Sequence, residues 1–81
     1  MAVHRSVVTE ARRTMWCEGD RFITSAGNVM KIIRFTGGGE RMIVRRIAVL
    51  NLDSLRLYPI ENTDDNIHEW SVHALTGKER M

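Results

Sequence analysis

The stretch Val29-Met30-Lys31-Ile32-Ile33-Arg34-Phe35-Thr36-Gly37-Gly38-Gly39-Glu40-Arg41-Met42-Ile43-Val44-Arg45-Arg46-Ile47-Ala48-Val49-Leu50 decides the fold. Two runs rich in β-branched residues flank three consecutive glycines, which is the pattern of a β-hairpin. Glycine lets the connecting backbone take positive φ, so the chain can reverse between Thr36 and Arg41. The adjacent Arg45 and Arg46 interrupt the alternation of the second run, and a bulge or strand end is expected there.

Shorter strands are expected on either side of this hairpin. Phe22, Ile23 and Thr24 form one, followed by the turn residues Ser25-Ala26-Gly27-Asn28. Leu55-Arg56-Leu57-Tyr58 forms another, which Pro59 ends. The expectation is an antiparallel meander of three to four strands with short connections.

The two ends read differently. In residues 6–16, Val7, Val8, Ala11 and Met15 fall in one helical arc, with Ser6 as cap and Glu10 near the first turn. The β-branched Val3, Val7 and Val8 offer an extended alternative. Ile67, Trp70, Ser71, Ala74 and Leu75 also share a helical arc, with Gly77 placed to end it. The same residues admit a strand with Trp70, Val72 and Ala74 on one face. Lys78 to Met81 read as a frayed tail. The fold class expected is therefore α+β: a short antiparallel sheet, in its more curved form a partial SH3-like barrel, with an N-terminal and a C-terminal helix.

The chain has 81 residues, enough for a single domain (1–81), and 43% of them are hydrophobic, which argues against intrinsic disorder. No apolar run is long enough to span a membrane, and the basic start leads into no signal-type apolar core. The one cysteine, Cys17, cannot close an internal disulfide, so a cytoplasmic setting is expected. Two tryptophans and five methionines are a large apolar load for so small a core. A homodimer through an edge strand or the N-terminal helix would relieve it.

Charge is unevenly distributed. Residues 1–50 carry a net +5 and residues 51–81 a net −3, and ten of the twelve basic residues are arginine. The guanidinium fork suits phosphate and carboxylate partners. Lys31, Arg34, Arg41, Arg45 and Arg46 lie on adjacent strands around the glycine loop and are the candidate binding residues. Such a cluster fits a nucleic-acid backbone or an acidic host protein, against the plain alternative of a solvated sheet surface.

Other chemistry finds less support. His68 and His73 are five apart, which is not the spacing of a zinc helix, and Cys17 has no second thiolate beside it. No metal site and no cofactor are expected. Cys17 with a histidine makes a poor catalytic pair at a helix end, because the dipole there disfavours a thiolate. The glycine triplet joins two strands and precedes Glu40, unlike a phosphate-binding loop.

Glu18-Gly19-Asp20-Arg21-Phe22 and Leu55-Arg56-Leu57-Tyr58-Pro59-Ile60 resemble the corresponding segments of the plasmid-borne type II dihydrofolate reductases, which are small SH3-like barrels. The resemblance implies that fold and aligns Tyr58 with the family's tyrosine. Arg56 stands where the family has its active-site glutamine, and that family assembles its pore from a tetramer. Reductase activity is therefore not carried over. In its shortness and lack of a catalytic set the chain also looks like phage and mobile-element accessory proteins. The functional expectation is a non-catalytic, nucleic-acid-associated regulatory module using the basic hairpin. The alternative is a phage or mobile-element protein that inhibits or adapts a host complex. A third reading, an enzyme built across an oligomer interface, would line its cavity with Tyr58, Arg56 or His68.

Overall fold

The computed structural model describes residues 16–81. Five strands form one antiparallel sheet: β1 (Arg21–Ile23), β2 (Asn28–Thr36), β3 (Arg41–Asn51), β4 (Arg56–Pro59) and β5 (Ile67–Ser71). The glycine triplet makes a single 3-10 turn between β2 and β3, with φ of 59°, 69° and 90° at Gly37, Gly38 and Gly39. Only glycine takes three such angles in succession without strain.

β3 is the spine. One edge pairs with β2 along nearly its whole length. Its other edge is shared: β5 takes Arg41 to Arg45, and β4 takes Ala48 to Asn51. That second edge explains why residues 67–71 are a strand. An unpaired Arg41–Arg45 edge would leave a row of backbone donors and acceptors unsatisfied, and β5 supplies their partners. Tertiary pairing overrides the helical periodicity there.

The α+β expectation is corrected accordingly. Half of the described residues are strand, and none lies in a helix of seven or more residues. The C-terminal helix at 67–75 is β5 followed by a 3-10 turn at Val72–Ala74. The N-terminal helix expected at 6–16 falls, except for Trp16, outside the described residues. The tail is also corrected, because Lys78–Met81 does not fray. Ile23 N–H donates to Glu79 O at 2.8 Å, Met81 N–H donates to Arg21 O at 3.2 Å, and Phe22 bridges to Arg80. The tail thus lies beside β1, and the neighbours run tail, β1, β2, β3, β5, with β5 leading back into the tail. The sheet curls round on itself.

The core fills that curl. Trp16, Phe22, Met30, Ile32, Met42, Val44, Val72 and Leu75 form one buried cluster, with Phe35 and Trp70 packed against it. Trp16 meets Phe22 edge-on at 5.8 Å between ring centroids, and Arg80 lies over the Trp16 ring at 4.2 Å. Ile32, Met42 and Val44 are completely buried, so truncating Met42 to alanine costs about 2–5 kcal/mol.

Beyond Val44 the sheet leaves this core. The remainder of β3 is half-buried at most, and all of β4 is exposed, so the β3–β4 end projects as a ribbon. Gly27 holds its base. A Cβ there would stand 2.7 Å from Leu50 O, and its φ is +85°.

Candidate functional site

Two irregularities decide which side chains share a face. Ile33 is an extra residue in β2 and Ile47 an extra residue in β3, each producing a register shift in the hairpin. The irregularity expected at Arg45-Arg46 thus falls one residue further on. A bulge switches the alternation, so side chains beyond it change face.

Phe22, Met30, Ile32, Met42 and Val44 point into the core. Their neighbours Arg21, Lys31 and Arg45 therefore point outward. The register places Arg21 opposite Lys31 and Lys31 opposite Arg45, which makes one row of cations across β1, β2 and β3. Strands lie about 4.8 Å apart, so the row spans roughly 10 Å. Arg34, beyond the Ile33 bulge, stands opposite Ile43 on the same outer face and is exposed. None of these four cations has an acidic partner among the described residues. Arg45 donates one hydrogen bond, to Thr63 O at 3.1 Å, which fastens the 61–66 loop beside the row.

The five residues expected from the sequence therefore separate. Lys31, Arg34 and Arg45 come together. Arg41 is on the same face, but its Nε pairs with the Glu69 carboxylate across β3 and β5, so its charge is already met. Arg46 stands opposite Met30 and turns to the inner side. There it donates to Asn28 Oδ1 at 3.4 Å and Asn66 Oδ1 at 3.2 Å. Its Nε is buried with no partner among the described residues. Asn66 is itself buried and donates through Nδ2 to Glu61 O at 2.8 Å and Thr63 Oγ1 at 3.2 Å. Arg46 is a brace between β3 and the loop.

Arg21 was missed by sequence reading, although the signal existed. Once Phe22 is placed inward, its neighbour must point outward, and the short turn at 24–27 sets it against Lys31. The outer face has a pocket of about 360 Å³, lined by Lys31, Ile33, Arg45, Arg46, Ile47, Ile60 and Asn62. Its lining has no acidic side chain. The stacking aromatics lie elsewhere: Trp16 and Phe22 are buried, and Phe35 and Trp70 pack against the core. Tyr58, half exposed on β4, pairs with Val49, which pairs with Asn28 on the Arg46 side of the sheet.

Cys17 is exposed, and His68 stacks on Trp70 at 6.4 Å. Among the described residues no group of three or more His, Cys, Asp or Glu is placed to hold a metal ion. Nor is any helix among them long and apolar enough to cross a membrane. Among the described residues, Asp20 and Glu79 are titrating groups that the fold perturbs. Asp20 is held below its ordinary range first by the backbone N–H of Cys17, at 2.8 Å, and then by Arg80, at 2.8 Å. Glu79 is lowered chiefly by the backbone N–H of Thr76.

Fold and face together define a small curled antiparallel sheet with a cationic, aliphatic outer surface. In comparisons with known proteins, no family model, no curated protein and no solved structure matches the chain.

Proposed function

We propose that this chain is a small binding module whose outer sheet face contacts the phosphates of a nucleic acid through Arg21, Lys31, Arg34 and Arg45. The observation that carries this reading is the cation row, three strands wide and free of acidic partners among the described residues. Four cations without an acidic partner among the described residues repel one another and gain from an anionic partner. Arginine predominates, which favours forked contacts to phosphate oxygens. Measuring oligonucleotide affinity against salt tests the reading. A value that does not change with salt refutes it.

A second reading, an inhibitor or adaptor docking on an acidic protein, is favoured by one feature. Ile33 and Ile67, each 36% exposed, sit among the cations where a protein partner would bury them. A complex that survives nuclease and competes with oligonucleotide is its mark.

We also propose that the chain pairs with a second copy of itself through β4. Leu52, Leu55, Leu57 and Tyr58 are 60%, 73%, 51% and 51% exposed. Together they present on the order of 450 Å² of largely apolar surface, so two copies approach the roughly 1,000 Å² of a specific interface. Ile60 N–H donates inward to Ile47 O, so by alternation Leu57 offers its N–H and C=O outward. Pro59 has no N–H to offer. A two-fold axis at Leu57 then gives a reciprocal pair of hydrogen bonds, Leu57 to Leu57, and stacks the exposed leucines of both copies.

A further inference from the structure

The pocket on the outer face has an unusual construction. The extra residue of each bulge, Ile33 in β2 and Ile47 in β3, lines it, and Ile60 completes an aliphatic patch. Bulges re-aim side chains beside functional sites, and here two separate ones direct isoleucine to a single place. Lys31 and Arg45 stand at the same pocket, and Asn62 adds an amide that both donates and accepts. Arg46 also contributes to the lining, while its guanidinium turns away to Asn28 and Asn66.

From this we infer that the pocket receives one unstacked nucleotide of a single strand, its phosphates on Lys31 and Arg45 and its base on Ile33, Ile47 and Ile60 beside Asn62. The inference rests on the nucleic-acid reading and narrows it. At about 360 Å³ the pocket is at the small end of ligand clefts, with space for one base and not for a base pair. A duplex keeps its bases stacked and offers this surface only phosphates, so the aliphatic patch would go unused. A flat apolar base covers the isoleucines, and its polar edge meets the Asn62 amide. The exposed acids of the adjoining loop, Glu61, Asp64 and Asp65, repel a backbone on that side, so the strand enters from the Arg21 and Arg34 side.

The test compares a fluorescein-labelled twelve-residue oligothymidylate with an abasic strand of the same length, which keeps the phosphates and lacks the bases. Wild-type protein is expected to bind the oligothymidylate about tenfold more tightly. Asn62→Ala, a substitution in an exposed loop, and Ile60→Ala should each reduce that preference while leaving the salt dependence intact. Equal binding of the two strands by the wild type overturns the nucleotide pocket and leaves phosphate binding standing. Salt-independent binding of both strands overturns the nucleic-acid reading itself. Displacement of the oligothymidylate by a poly-glutamate peptide at equal charge concentration also overturns the pocket inference, in favour of an acidic protein.

Discussion

Raising salt from 50 to 200 mM should weaken binding of single-stranded oligothymidylate about 50-fold. The figure comes from four cations without an acidic partner among the described residues, at a slope of roughly 0.7 per neutralised phosphate, or about −2.8 overall. The geometry then dictates what each variant does. Arg21→Ala, Lys31→Ala, Arg34→Ala and Arg45→Ala should each flatten the slope by about 0.7, reducing the loss over that salt range to about 20-fold. Arg41→Ala should barely change it, because Glu69 already neutralises Arg41. Removing that partner is the sharper perturbation. Glu69→Gln releases a fifth cation on the same face and should steepen the slope to about −3.5. Fluorescence anisotropy at five or six salt concentrations reads all of these. If Glu69→Gln leaves the slope alone while Arg41→Ala flattens it, the assignment of cations to the face is wrong.

Acid should loosen the closure of the sheet. Asp20 and Glu79 have folded pKa values below their ordinary 3.8 and 4.5, so their stabilisation is complete above those values. It is lost as pH falls through the lower folded values. Protection of the Ile23 and Met81 amides from hydrogen exchange should therefore drop as the pH falls below these ordinary values and through the lower folded ones, and Asp20→Asn should lose part of it already at pH 7. Gly27→Ala should destabilise by about 2–4 kcal/mol in urea unfolding, since a Cβ collides with Leu50 O in a left-handed conformation. Leu55 holds φ of +59°, a strain of about 1–2 kcal/mol for a residue with a Cβ. Leu55→Gly should therefore stabilise the monomer while weakening the dimer, and sedimentation at micromolar concentration should show a larger 9 kDa fraction. A chain that is monomeric at every concentration rules out the β4 pairing.

The hairpin was legible because three glycines between β-branched runs leave the chain little choice. What could not be read was anything that depended on a distant partner. Ile67–Ser71 carries both periods within five residues, and only the open edge of β3 selects the strand. The tail at 78–81 has no strand signature at all, and the edge of β1 is what orders it. The grouping of the cations was hidden in part for the same reason, since Glu69 lies 28 residues from the arginine it neutralises. Arg45 and Arg46 part to opposite faces because the bulge falls at Ile47 and not at the pair itself. Arg34 shows the opposite hazard: simple alternation from Lys31 turns it inward. Only the bulge at Ile33, hidden in a continuous apolar run, returns it to the outer face.

Arg46 then raises a question of its own, because a half-buried cation with amide partners and no carboxylate among the described residues is a poor stabiliser. Its geometry gives it a different use. One guanidinium spans Asn28 on β2 and Asn66 in the loop, and Asn66 in turn ties down Glu61 and Thr63. The segment held in this way includes Asn62 and follows directly on Ile60, both of which line the outer pocket. Arg46 is thus a positioning residue, working from the inner side on a pocket that opens on the outer. Arg46→Met should keep the salt slope, since this charge does not face the phosphates, and should lose most of the preference for oligothymidylate over the abasic strand. Asn66→Ala should do the same and cost about 1–3 kcal/mol, because one Arg46 Nη loses its acceptor and the Nδ2 bonds to Glu61 O and Thr63 Oγ1 are lost. A merely structural role would weaken both strands together as the fold melts. Loss of the preference alone, in protein that remains folded by circular dichroism, distinguishes the two. A flattened slope in Arg46→Met would instead place this arginine among the phosphate contacts and overturn the two-sided arrangement.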